Sequence, residues 1–168
     1  CDSSKCLWSP TAASATSSSN YIRCKKVWLT MPTIVLASQS TSRRRLLESA
    51  GLSPKIIVSN VDEETEFFNA MHPADMVIAL AITKAHTVRE QIDFPAIIIG
   101  CDSTFEFDGV SLGKPGTPDI ATERAKRVRG NSGLLHTGHC IIDTAKDIEI
   151  SDRVTTRVTF DHMSDEEI

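Results

Sequence analysis

The sequence predicts an α/β domain, and three stretches carry that prediction. Pro95-Ala96-Ile97-Ile98-Ile99 has no polar face and reads as a strand buried on both sides. Thr33-Ile34-Val35-Leu36-Ala37 is a second such strand, followed after a short hydroxyl-rich loop by a helical stretch, Arg43 to Ala50, that Gly51 closes. Pro73-Ala74-Asp75 then opens a long helix running to about Gln91. Strands alternating with helices imply a sheet with helices packed on it.

A chain of 168 residues, 40% of them hydrophobic, can bury one core, so a single domain is expected. No apolar run approaches the roughly eighteen residues that a membrane span needs. The net charge of −4 argues against nonspecific binding to DNA, which requires a basic face to neutralise phosphates. Cys1, Cys6, Cys24, Cys101 and Cys140 show neither paired metal-ligand spacing nor a regular disulfide framework. A reducing, cytoplasmic setting fits that usage.

Residues 1–30 differ from the rest: seven serines, three threonines, a single acid and no hydrophobic periodicity. They read as a disordered extension without a catalytic role, and Met31 would make a natural start. Residues 31–168, the expected domain, carry a net charge of −7. A polyanionic substrate would therefore need cations gathered locally, a metal, or both.

The first strand delivers Ser38-Gln39-Ser40-Thr41-Ser42, of which Ser42 or Ser40 can cap the helix. Free N–H groups and the helix dipole make such a loop a ready anion site. Arginines in the first turn oppose the dipole, a cost that makes sense if they face a phosphate, although Arg43, Arg44 and Arg45 cannot all reach one ligand. Lys55 to Ser59 reads as a second strand ending in the acidic run Asp62-Glu63-Glu64. Such a run is usually solvated; the sharper reading is that one of its carboxylates joins Asp102 around a hard divalent cation. In the long helix, Val77, Leu80 and Lys84 share a face, so Lys84 either snorkels from the buried stripe or reaches a phosphate.

After the buried strand, Gly100 reads as its end, which places Asp102 at the strand's C-terminal tip, where open α/β sheets bind ligands. A hairpin is expected next, Thr104 to Phe107 and Val110 to Leu112 joined by Asp108-Gly109, returning Gly113-Lys114-Pro115 toward the same region. Alone, an aspartate there is most often a turn former and a Gly-Lys-Pro merely a loop. Thr117-Pro118-Asp119 starts a further helix running to Gly130, and Asn131-Ser132-Gly133 is expected to turn. Two more strands follow, Leu134 to Ile142 and Asp152 to Phe160, with His136 and His139 on opposite faces. Ser164-Asp165-Glu166-Glu167 has the pattern of a capping box, which announces a helix just as the chain stops; the domain is expected to be incomplete at its C-terminus.

Taken together, Leu36-Ala37-Ser38-Gln39-Ser40-Thr41-Ser42-Arg43-Arg44 with Leu46-Leu47, Val61-Asp62-Glu63-Glu64, Thr83-Lys84-Ala85, Gly100-Cys101-Asp102-Ser103, Gly113-Lys114-Pro115 and Gly133-Leu134-Leu135-His136-Thr137-Gly138 resemble the Maf family of nucleoside triphosphate pyrophosphatases. The resemblance implies an elongated mixed β-sheet flanked by helices, with a nucleotide cleft between two lobes, often in a homodimer. It implies hydrolysis of a nucleoside triphosphate to the monophosphate and pyrophosphate, clearing noncanonical nucleotides, with Mg²⁺ or Mn²⁺ as cofactor. By the same resemblance Asp102 is the general base, Glu63 and Asp102 hold the metal, and Ser38, Arg43, Lys84, Ser103 and Lys114 bind substrate. Thr41 stands where the family usually has proline, and Ser42 and Ser103 occupy positions that bear on base choice. The alternative is a noncatalytic nucleotide-binding regulator linked to septum formation in cell division.

Overall fold

The structure, a computed structural model, describes residues 32–168. The extension expected over residues 1–30 lies outside the described residues. The elements run β1 (Thr33–Leu36), α1 (Thr41–Ser49), β2 (Lys55–Ile56), α2 (Glu66–Asn69), α3 (Pro73–Gln91), β3 (Ala96–Phe107), β4 (Val110–Leu112), α4 (Pro118–Val128), β5 (Ser132–Asp143) and β6 (Ile148–Thr159). The strands form one mixed six-stranded sheet in the order β2-β1-β3-β5-β6, with β4 paired to β3 off that path. The α/β class and the mixed sheet expected from the sequence are what the fold contains.

The mixture arises at β3. Its first residues pair parallel with β1, Thr33 to Leu36 opposite Ala96 to Ile99. The strand then continues far beyond β1, antiparallel to β5 from Ile97 to Glu106. Gly100 therefore does not end the strand, and Asp102 sits in mid-strand rather than at a C-terminal tip. The glycine answers a packing demand instead. A Cβ at Gly100 would lie 2.2 Å from the Ala81 carbonyl oxygen and 2.8 Å from the Ala85 Cβ; one at Gly138 would lie 2.2 Å from the Val77 carbonyl oxygen. Both glycines leave room for α3 to seat directly on β3 and β5. What the sequence suggested of Asp102 survives in another form: β1 ends opposite Ile99, so Asp102 lies just past the carboxyl end of β1, level with the loop that leads into α1.

The core follows from that seating. Val35, Ala37, Ala81, Ala85, Val88, Ala96, Ile98, Cys140 and Ile142 form one buried cluster between the sheet and α3. Small residues on the helix and glycines beneath it trade side-chain volume for a close approach, which keeps dispersion contacts dense.

Local signals were reliable where the chemistry is local. Ser40, not Ser42, caps α1, accepting a hydrogen bond from the Arg43 N–H at 3.3 Å. Thr117 caps α4, and the Asp108-Gly109 hairpin forms with both residues at positive φ. The second strand is shorter than expected: β2 keeps only Lys55 and Ile56, and the chain swings away through Asn60 at φ 52° into the acidic run. The expected turn at 131–133 is also displaced, because Ser132 and Gly133 already pair with β6. A Cβ on Gly133 would strike the Phe105 ring at 2.3 Å, so packing again explains this glycine. At the far end Ser164 and Glu167 do exchange the reciprocal bonds of a capping box, closing a turn over residues 165–167 rather than a helix.

Candidate active site

Distant parts of the chain meet at one cleft of about 1410 Å³: the β1–α1 loop, the acidic segment after β2, the middle of α3, the middle of β3, and the loop after β4. Ser38, Arg43, Glu63, Lys84, Asp102, Ser103 and Lys114 all line it. Residues separated by more than seventy positions along the chain thus share one concave surface, large enough to enclose a small-molecule ligand of nucleotide size.

The centre is a lysine between two acids. Lys84 Nζ lies 2.6 Å from Asp102 Oδ1 and 2.7 Å from Glu63 Oε1. The Lys84 side chain is 8% exposed and that of Asp102 11%, whereas Glu63 is 51% exposed, so the group spans from the core to the mouth of the cleft. Lys84 does not snorkel. It stands on the buried stripe of α3 with Val77, Leu80, Ala81, Ala85 and Val88. A buried ammonium is tolerable only when paired, and here two carboxylates pair it. Asp102 Oδ2 takes no protein partner among the described residues, and no buried side-chain oxygen there is left unsatisfied, so that oxygen faces the cleft.

Beside this group the β1–α1 loop holds a fixed guanidinium. Arg43 Nη1 donates to Ser38 Oγ at 3.2 Å and to the Cys101 carbonyl at 2.9 Å, and Nη2 donates to Ser103 Oγ at 3.0 Å. Ser103 Oγ also lies 3.0 Å from Thr137 Oγ1. Asp102 and Ser103 are neighbours on a strand, so they point to opposite faces: the aspartate toward α3, the serine toward Arg43. Only Arg43 of the three consecutive arginines joins the site. Arg44 pairs with Glu48 at 2.8 Å on the surface, and Arg45 is exposed.

Lys114 lines the cleft, is exposed and makes no ion pair among the described residues. Arg124 on α4 was not singled out from the sequence. It lines the cleft and donates from Nη1 to the Gly113 carbonyl, adjoining Lys114. A signal existed: Ala121, Arg124, Ala125 and Val128 follow helical spacing and form the less exposed face of α4, where an arginine needs a polar partner. Burial, opposed mainly by the nearby Arg43 charge, raises the Cys101 thiol above its ordinary range, so it stays neutral beside the site.

The fold and the cleft define an α/β protein with a paired-acid, multi-cation site suited to a phosphorylated ligand. A family model described as Maf-like protein matches residues 33–168. The chain belongs to the Maf family. A nucleoside triphosphate pyrophosphatase of Streptomyces coelicolor is 46% identical over 136 residues, covering 80% of this chain and 65% of the relative. One of Prochlorococcus marinus is 45% identical over 135 residues, covering 80% of this chain and 71% of the relative. The chain thus spans about two thirds of the length of these curated relatives. A crystal structure of a nucleoside-triphosphatase / dITP/XTP pyrophosphatase from Mycobacterium abscessus is similar at a TM-score of 0.40 and 12% identity, over 76% of this chain and 73% of that one. No helix among the described residues is long and apolar enough to cross a membrane.

Proposed function

We propose that the protein hydrolyses nucleoside triphosphates to nucleoside monophosphate and pyrophosphate. The observation that carries this reading is the convergence of Glu63 and Asp102 on Lys84, within the cleft that also presents Arg43, Ser38 and Lys114. The relatives named nucleoside triphosphate pyrophosphatase support it at 45–46% identity.

A divalent metal is part of the proposal, and the donor set fits one. Among the described residues no group of three or more histidines, cysteines and acids could hold a metal ion by itself. Two carboxylates are nevertheless the usual protein share for Mg²⁺, whose remaining ligands are substrate phosphates and water. Glu63 and Asp102 would hold it. When bound it neutralises charge building on phosphate oxygens.

The chain's own groups supply the rest. Asp102 Oδ2 orients a water molecule and takes its proton as the water oxygen bonds to the α-phosphorus. The bond from that phosphorus to the bridging oxygen breaks, and pyrophosphate leaves with the electron pair. Lys84, Lys114 and Arg43 face the phosphate chain and stabilise its negative charge in a partly desolvated cleft. The N-terminal amides of α1 add fixed partial positive charge.

Pyrophosphate release from a panel of standard and noncanonical nucleoside triphosphates, with Mg²⁺ or Mn²⁺ and with chelator, tests the reading. Release that depends on metal and is lost in Asp102→Asn supports it. Nucleotide binding without any release would favour the regulator, and no binding at all would overturn both.

A further inference from the structure

We propose that Lys84 is a displaceable counter-cation: its ammonium holds the place of the divalent metal between Glu63 and Asp102, and moves onto the phosphates when metal enters. This deepens the hydrolase reading and rests on the same site.

Two distances carry the inference. An ammonium 2.6 and 2.7 Å from one oxygen of each carboxylate is in direct contact with both. A divalent cation bound by the same two oxygens needs them at a similar or shorter separation, so ammonium and metal cannot both occupy the centre. Without a cation there, a carboxylate only 11% exposed would face one that is 51% exposed at the mouth of the cleft, and the two would repel. Lys84 removes that repulsion and keeps both oxygens aimed inward.

The lysine can also leave. Its backbone is fixed in α3, locked against Gly100 and Gly138, but its four-carbon stem is flexible and its head carries no bond beyond the two acids among the described residues. Metal arriving with its own double charge replaces one positive charge by two, and the released ammonium requires a new anionic partner. Within the cleft the phosphates of a substrate are such a partner. The arrangement therefore resists metal alone and favours metal together with polyphosphate, a coupling between two ligands of one site.

The test is Mn²⁺ binding by the full chain without nucleotide, read as loss of the free-ion paramagnetic resonance signal. Lys84→Met removes the competing charge while keeping the stem's apolar bulk, and should bind Mn²⁺ about tenfold more tightly than the unaltered protein, or better. Lys84→Arg keeps the charge and should bind it no more tightly than the unaltered protein. Circular dichroism establishes that each variant is folded. Should Lys84→Met be unfolded without metal, added Mn²⁺ should restore its melting transition, and failure to do so would count against the proposal. Equal or weaker Mn²⁺ binding by folded Lys84→Met would overturn it. The hydrolase reading fails separately, through absence of pyrophosphate release, whichever way the Mn²⁺ titrations fall.

Discussion

At Asp102 the difference between a carboxylate and a carboxamide isolates chemistry from folding. Asparagine keeps the volume and still offers Lys84 an oxygen, and Lys84 retains Glu63 at 2.7 Å. Asp102→Asn should therefore leave the circular dichroism spectrum unchanged while lowering turnover by about 10²–10⁴-fold, the usual loss on removing a general base. Arg43 makes a different prediction. Its guanidinium serves Ser38, Cys101 and Ser103 together, a geometry one ammonium cannot reproduce. Arg43→Lys should raise KM for the triphosphate about tenfold with a smaller change in kcat, measured by steady-state kinetics. Away from the site, burial and then the Glu149 carboxylate push the Cys140 thiol from 9.0 up to about 11. The folded protein keeps this proton after the unfolded chain has lost it. Its contribution to stability is complete below pH 9 and falls as pH rises from 9 to 11. Urea midpoints should show that decline, with a shallower slope in Cys140→Ala.

At the scale of elements, α3 and the two strands under it decide where the acids stand. A methyl at Gly138 would sit 2.2 Å from the Val77 carbonyl oxygen, and backbone cannot yield as a side-chain tip can. Gly138→Ala should cost about 3 kcal/mol or more in denaturant titration and lengthen the Lys84–Asp102 contact, so turnover falls along with stability. α4 acts likewise on the hairpin, through Arg124 on Gly113 and Arg127 on Asp108 at 3.5 Å. What could be read in advance follows this division. A cap at Ser40 or Ser42, the cap at Thr117, the Asp108-Gly109 turn and the helix from Pro73 depend on neighbours in sequence, and they were legible. Gly100 was misread as a stop because its reason lies in α3, fifteen and more residues earlier. The sequence placed Lys84 on the apolar stripe of α3, yet only the tertiary structure brings it against two acids from different elements. Arg124 carried half a signal: its place on the less exposed face of α4 calls for a polar partner, but that partner is the Gly113 backbone carbonyl, which no side-chain pattern names.

For the molecule as a whole, the buried cluster and the seven cleft residues singled out from the sequence all fall within the described residues 32–168. A chain beginning at Met31 should accordingly melt and release pyrophosphate as the longer chain does; a lost melting transition would assign residues 1–30 a part in folding. The bare backbone at positions 100, 133 and 138 has a consequence for anyone wishing to toughen the protein. Filling glycines is among the commonest routes to a higher melting temperature, because it restricts the unfolded chain at no cost to the folded one. That route is closed at all three, where an added carbon meets a carbonyl oxygen or an aromatic ring within 2.3 Å. Heat resistance would have to be sought on the outer surface, in ion pairs and loop rigidity, leaving the helix-to-sheet spacing untouched.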